Sequence, residues 1–252
     1  MQVAVEEIRE GLRREGYFVG HVSLGDEDPA RFIVETARAL GEIFVPPDCD
    51  PDQPVIRTEP NRGRCAAPFD RPEAIGWHGD FATWEDRPEL SLVYIVRPDP
   101  RGGNYGAWRL ASVKKLLGVL RETEEGHAAL ALLREDRLPF SYADGEPARW
   151  FRVVEPELEA GPGLRFYIPS IRRGCMAEYG EIPPRIAAAL AAIEQAADEV
   201  AETLPTQAGS FLVVSNWLAL HDRVRQTVSR TRDNREALLC FVARCQPIPD
   251  GS

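Results

Sequence analysis

Apolar positions recur at two spacings along this chain, one helical and one alternating. Near the start Val3, Val5, Ile8 and Leu12 return at roughly helical intervals up to Gly16, predicting a surface helix over residues 2–15. Tyr17 to Gly20 reads as a short strand. Asp28-Pro29 then supplies a capping carboxylate and a residue whose φ is already helical, and Phe32, Ile33, Ala37 and Leu40 form one apolar face up to Gly41. Short strands are expected at 43–45 and 55–57, followed by an exposed loop over 59–71 with Pro60, Asn61, Gly63, Pro68 and several arginines.

Leu90 to Val96, bounded by Pro88 and Pro98, is the clearest strand pattern of the first half. A turn at 101–104 leads to a strand at 105–110, then helices at 111–122 and 125–134. Gly161-Pro162-Gly163 separates strands predicted at 150–154 and 164–168. The Ala-rich stretch 184–204, with Pro at its start and Pro205 beyond it, reads as one long helix. Ala208-Gly209-Ser210 opens an apolar run ending at His221, and the last strand spans 236–244. The pattern carries no internal repeat, low-complexity tract or linker.

Strands near both ends of a helical insertion call for a sheet closed on itself. The expected fold is mainly β with flanking helices around a double-stranded β-helix, or jelly-roll, core. A chain of 252 residues can form it as one domain over 1–252, with the helical insertion between the two regions richest in chemistry.

Charge narrows the partners. A formal net charge of −10 and a pI near 5.0 do not suit a protein that neutralises a nucleic-acid backbone, so a small molecule is the expected partner. No apolar run reaches the roughly 18 residues a bilayer needs, and the amphipathic start lacks a signal-peptide core. Five cysteines, Cys49, Cys65, Cys175, Cys240 and Cys245, show no CxxC pair, which suits a reducing compartment. A cytoplasmic location is therefore expected. Lysine occurs only at Lys114 and Lys115, so arginine is the default cation and no single arginine is remarkable by type.

The candidate chemistry lies in two stretches, Ile75-Gly76-Trp77-His78-Gly79-Asp80 and Phe211 to His221. Residues two apart on an extended segment project to one side, so His78 and Asp80 share a face. A second histidine brought in by folding, His221, completes two imidazoles and a carboxylate on one side of a metal, leaving its other positions open. With four histidines present, a His-x-Asp triplet arises by chance in roughly one such chain in four. The flanking β-like segments with Trp77 and Phe81 give this one its weight. His21 and His127 sit in polar surroundings and read as surface residues.

A carboxylate co-substrate beside such a metal needs a rigid, planar cation. Arg235, just before the last strand, and Arg232 both stand in place for it. Arg62, Arg64, Trp84, Arg172 and Arg173 are further residues that flank the motifs.

The set His78-Gly79-Asp80, Arg101-Gly102-Gly103-Asn104, Asn216 to Arg223 and Arg235 resembles the taurine dioxygenase and clavaminate synthase-like branch of the Fe(II)/2-oxoglutarate-dependent oxygenases. The resemblance implies a jelly-roll fold, iron on His78, Asp80 and His221, and 2-oxoglutarate anchored by Arg235. Where many relatives have Gly-Gly-x-Thr, with the threonine helping to hold the co-substrate, this chain has Gly102-Gly103-Asn104-Tyr105; either the Tyr105 hydroxyl takes over that contact or the contact is lost. With O2, such enzymes convert 2-oxoglutarate to succinate and CO2 and oxidise an unactivated C–H bond. The resemblance thus implies hydroxylation, desaturation or ring closure of a small polar, amino-acid-like metabolite. The presence of Asp80 disfavours halogenation, because related halogenases lack that carboxylate. The same three residues would also serve a zinc or manganese hydrolase or isomerase, or a barrel that binds a small molecule without catalysis.

Overall fold

A computed structural model describes residues 4–46, 49–60, 71–158, 161–229 and 233–245. The chain begins with helix α1 (Val5–Glu15), strand β1 (Tyr17–His21), helix α2 (Pro29–Leu40) and strands β2 (Gly41–Phe44) and β3 (Ile56–Thr58). Both helices behave as their sequence predicts: Asp28 caps α2 by accepting from Ala30 N, and Gly16, at φ 82, ends α1. Strands β4 (Leu90–Arg97) and β5 (Trp108–Ser112) precede helices α3 (Val113–Leu120) and α4 (Glu124–Glu135).

Two hairpins follow, β6 (Arg137–Phe140) with β7 (Arg149–Arg152), and β8 (Val154–Leu158) with β9 (Gly161–Leu164). Helices α5 (Ile168–Tyr179) and α6 (Pro184–Val200) lead to β10 (Glu202–Leu204), β11 (Ser210–Ser215), β12 (Ala219–Arg223) and β13 (Glu236–Cys245).

The larger sheet runs β1-β11-β4-β13-β2, with β3 also on β13, and the smaller runs β10-β5-β12; every pairing is antiparallel. Between the sheets lies a compact core. Tyr17, Ile95, Leu212, Val214 and Ala237 of the larger sheet meet Trp108, Leu110 and Ala219 of the smaller. The outer face of the larger sheet is covered by Ile8 of α1 and by Ile33, Ala37 and Leu40 of α2. Helices α3, α4, α5 and α6 build the largest apolar cluster behind the smaller sheet. This is the jelly-roll core with flanking helices expected from the pattern.

Several boundaries differ from the predicted ones. The apolar run into His221 is two strands in two sheets: β11 is buried on both faces, which erases its alternation, and a turn at 216–218 carries the chain across to β12. The helix expected to reach residue 204 stops at Val200, because Glu202 to Leu204 pair with Trp108 to Leu110 at the edge of the smaller sheet. The strand expected over 164–168 ends at Leu164, and Ile168 opens α5, with Pro169 in its first turn and Gly180 (φ 74) at its end. The strand expected at 105–110 begins only at Trp108, after a turn, and extends to Ser112. The strand expected at 150–154 divides between β7 and β8.

Among the described residues, no helix is long and apolar enough to cross a membrane. Cys175, Cys240 and Cys245 are free thiols, Cys49 is half-buried, and Cys65 lies outside the described residues.

Candidate metal centre

The His78 segment lies along β12 as an added edge to the smaller sheet. His78 N donates to His221 O at 3.0 Å, His221 N returns a bond to His78 O at 2.9 Å, and Ile75 N reaches Arg223 O at 3.2 Å. On its other side Gly79 N donates to Phe166 O at 3.0 Å. Strand alternation then sorts the side chains. Trp77 turns outward, where its indole N–H donates to Asp198 Oδ1 at 2.9 Å. Gly79 also turns outward, where a Cβ would come within 3.0 Å of Asn216 O. His78 and Asp80 turn inward. His221 stands opposite Leu110 of the inter-sheet core, so it faces inward too.

Three side chains thereby converge. One ligand atom from each of His78, Asp80 and His221 lies within 4.8 Å of the other two. His78 Nε2 is 3.6 Å from Asp80 Oδ1, and His221 Nε2 is 3.5 Å from Asp80 Oδ2. The imidazole centroids are 4.2 Å apart. The side chains keep 11%, 23% and 13% of their surface accessible in that order, so the cluster is sunk in the fold yet open on one side.

Neighbouring groups hold each donor in place. His78 Nδ1–H donates to Gly76 O at 2.8 Å, the tautomer that leaves Nε2 with a free lone pair facing Asp80. Ser91 donates its hydroxyl to Asp80 Oδ2 at 2.6 Å. Asn216 Oδ1 accepts from Asp80 N at 2.9 Å, while its Nδ2 donates to Ser91 Oγ at 2.9 Å and Pro88 O at 3.1 Å.

Electrostatics follows the same geometry. Burial works against charge on Asp80, but the charges and hydrogen bonds of His221 and His78 outweigh it and hold the carboxyl well below its usual range. Burial also opposes charge on His78, yet hydrogen bonding and attraction from Asp80 raise its pKa overall. His221 is pushed down by burial and by the neighbouring His78. At neutral pH the cluster therefore presents a carboxylate and at least one neutral imidazole.

Two nitrogens and one oxygen aimed at a common point are the mixed, hard-to-borderline donor set that suits a mononuclear ferrous site with open positions. His221 Nδ1 is buried without a hydrogen-bond partner among the described residues. Nearby on the chain, Arg235 is a buried cation, 6% exposed, and its Nε has no hydrogen-bond partner among the described residues. Burial, and then repulsion from Arg223, pull its pKa down to about 9. Asp99 offsets part of this, but its oxygens already accept from Thr227 N, Thr227 Oγ1 and Arg101 N. A buried guanidinium whose Nε–H has no partner among the described residues fits a dicarboxylate such as 2-oxoglutarate. Gly106, at φ +68, leaves room for it: a Cβ there would stand 2.7 Å from Arg235 Cδ.

Tyr105 is half-exposed, with its hydroxyl 3.4 Å from Arg225 Nη2 and its ring flanked by the guanidiniums of Arg101 and Arg225. Arg172 is exposed on α5, and the half-buried Arg173 donates to Ser141 O at 3.2 Å. Arg62, Arg64 and Arg232 fall outside the described residues.

Over residues 3–240 the sequence matches the family described as taurine catabolism dioxygenase TauD, TfdA family. The chain belongs to that family. Solved structures of similar fold include an asparagine oxygenase in complex with Fe(II), 3-hydroxyasparagine and succinate, with TM-score 0.72 and 19% identity over 92% of this chain and 77% of that one. PvcB from Pseudomonas aeruginosa gives TM-score 0.67 at 16% identity over 96% and 80%. The non-heme iron oxygenase OrfP with Fe and alpha-ketoglutaric acid gives TM-score 0.69 at 14% identity over 94% and 78%. A comparison with curated protein sequences finds no match.

This TauD/TfdA-family oxygenase also contains residues around the site that the sequence pattern did not single out. Ser91 sits within a strand of apolar residues, and a buried hydroxyl in such a run is the signal that could have marked it. Tyr167 pairs with the His78 backbone and places its ring 5.9 Å from the His78 ring. Arg87 is buried behind Gly79 and stacks 3.7 Å from the Trp217 ring centroid. Both are placed by tertiary pairing and had no local signature.

Proposed function

We propose that His78, Asp80 and His221 hold one ferrous ion, that Arg235 takes the distal carboxylate of 2-oxoglutarate, and that residues 1–252 act as one oxygenase domain. The reaction assigned to this Fe(II)/2-oxoglutarate-dependent oxygenase is oxidation of an unactivated C–H bond, in the first instance hydroxylation, of a small amino-acid-like metabolite. The observation that carries the reading is the convergence of three ligand atoms within 4.8 Å, accompanied by a buried arginine with an unpaired Nε. An amino-acid-like substrate is supported by structural relatives solved with 3-hydroxyasparagine and with (3S)-hydroxy-L-Arg. A hydrolase or a non-catalytic barrel built on the same three residues would have no need of the Arg235 cation.

Iron and 2-oxoglutarate, when bound, supply the oxidising power, the co-substrate losing CO2 to leave succinate as O2 is reduced. The chain's own residues do the positioning. Gly76 O fixes the His78 tautomer, so Nε2 enters as a neutral donor. Ser91 occupies a lone pair of Asp80 Oδ2, which leaves Oδ1 as the freer donor. Arg235, fixed against Gly106, orients the co-substrate by its far end, and the inter-sheet core of Trp108, Leu110 and Ile95 keeps water from the base of the site.

The test is anaerobic addition of Fe(II) and 2-oxoglutarate to the metal-free protein, followed by a screen for metabolites that stimulate succinate release in air. A visible metal-to-ligand charge-transfer band and a stimulating amino-acid-like compound are expected. A protein that binds neither iron nor 2-oxoglutarate would refute the assignment.

A further inference from the structure

Beside Asp80 stand four aromatic rings that belong to none of the three apolar cores. Phe241 lies opposite Ser91 where β13 pairs with β4, so the two side chains leave the same face of the sheet. Ser91 in turn touches Asp80 Oδ2 at 2.6 Å. Phe44 lies opposite Phe241 across the β13–β2 pairing and continues the row.

Phe81 immediately follows Asp80. On a continuing strand its ring would point away from the Asp80 carboxylate, but its φ of 55 breaks the alternation. The ring instead packs 5.1 Å from that of Phe241 and 5.0 Å from that of Phe44. Trp84 closes the group at 5.5 Å from Phe81 and 6.1 Å from Phe44.

Phe241 is buried, whereas Phe44, Phe81 and Trp84 remain half-buried. The rings meet edge to face, and no guanidinium or ammonium is stacked on any of the four among the described residues. They pack against one another with ring centroids 5.0 to 6.4 Å apart. The group is thus an apolar wall, unlike a cage built around a cation. An open apolar wall next to the reacting centre favours a ligand that covers it and expels its water.

We propose that the wall of Phe44, Phe81, Trp84 and Phe241 receives an uncharged, carbon-rich side chain of the primary substrate, aryl or branched alkyl. The wall thereby sets specificity for apolar over polar amino-acid-like compounds. The inference rests on the reading of His78, Asp80 and His221 as the iron site.

The experiment titrates the anaerobic enzyme, loaded with Fe(II) and 2-oxoglutarate, with L-phenylalanine and separately with L-asparagine, following displacement of the charge-transfer band. Phenylalanine is expected to shift the band at a concentration about tenfold or more below that needed for asparagine. Trp84→Ala should weaken the phenylalanine response about tenfold, and Trp84→Phe should largely retain it. In metal-free protein, phenylalanine should change the tryptophan fluorescence of the wild type more than that of Trp84→Phe. If Trp84→Ala does not fold, Phe44→Leu takes its place and should weaken the response in the same direction. A band moved equally or more readily by asparagine, a band moved by neither compound, or a well-folded Trp84→Ala with wild-type response overturns the proposal. Absence of the band before any probe is added would strike at the iron-site reading itself, so the two failures are distinguishable.

Discussion

Ser91 Oγ lies 2.6 Å from Asp80 Oδ2, and the hydroxyl that makes this bond comes from the opposite sheet. The Asp80 carboxyl group is therefore fixed at two points: its backbone N–H donates to Asn216 Oδ1 in the turn between β11 and β12, and its second oxygen is held by Ser91 of β4 in the larger sheet. Such supporting groups typically alter metal affinity by about 10- to 100-fold. Ser91→Ala is expected to weaken Fe(II) binding to the metal-free protein within that range while the far-UV circular dichroism is unchanged. Fluorescence titration with Fe(II) under anaerobic conditions measures it, and an unaltered dissociation constant would exclude the role.

Asn216 is fully buried and bonds Asp80 N, Ser91 Oγ and Pro88 O. Asn216→Ala takes this partner from Asp80 N and Pro88 O and leaves Ser91 Oγ only its bond to Asp80, and a loss of stability on the order of 3 kcal/mol is expected. Urea denaturation of the metal-free protein checks this independently of turnover.

His78→Ala and His221→Ala should each abolish iron-dependent release of CO2 from 2-oxoglutarate, since each removes one of the three converging donors. Asp80→Gly should lose substrate oxidation. The readout is succinate formed per product formed, and normal product yield from any of the three would remove that residue from the metal site.

Arg235→Gln keeps a planar group but removes the charge. The KM for 2-oxoglutarate should rise about 10- to 100-fold, as expected for loss of a charge-assisted hydrogen bond worth about 1.5–3 kcal/mol. In the wild type, 2-oxoglutarate should raise the melting temperature, because it binds the folded state and its dianion supplies a counter-charge to the buried Arg235 guanidinium, whose pKa burial depresses. That increment should vanish in Arg235→Gln.

The raised pKa of His78 gives iron binding a definite pH dependence. A proton on His78 stabilises the metal-free fold below the unfolded value of 6.5, and that contribution is lost as pH rises through the higher folded value. Metal needs the neutral imidazole, so the opposite sign holds for binding: Fe(II) affinity should fall about tenfold per pH unit below the His78 pKa. Depressed Asp80 and His221 add no competing proton at neutral pH. Calorimetry in buffers of different ionisation enthalpy should detect the proton released on binding.

Much of the fold could be read locally. The faces of α1 and α2, the Asp28 cap and β4 follow from spacing and end signals that act over a few residues. The failures share one cause. Glu202 to Leu204 continue a helical pattern but lie where β5 offers unpaired backbone, and sheet pairing prevails there. In the run from Phe211 to His221, burial on both faces removes the alternation that would have marked the break between sheets.

The candidate site divides in the same way. Strand geometry alone places His78 and Asp80 on one face, because successive side chains alternate, and the sequence also supplied the types of donor and two candidate cations, Arg235 and Arg232. Which side of the fold that face looks into, the approach of His221 to it, the bond from Ser91 and the missing partner of Arg235 Nε were decided by the tertiary structure. Local periodicity is set by backbone stereochemistry within a turn or a strand. Convergence depends on which distant strands pair and in which register, and no spacing within a single segment encodes that.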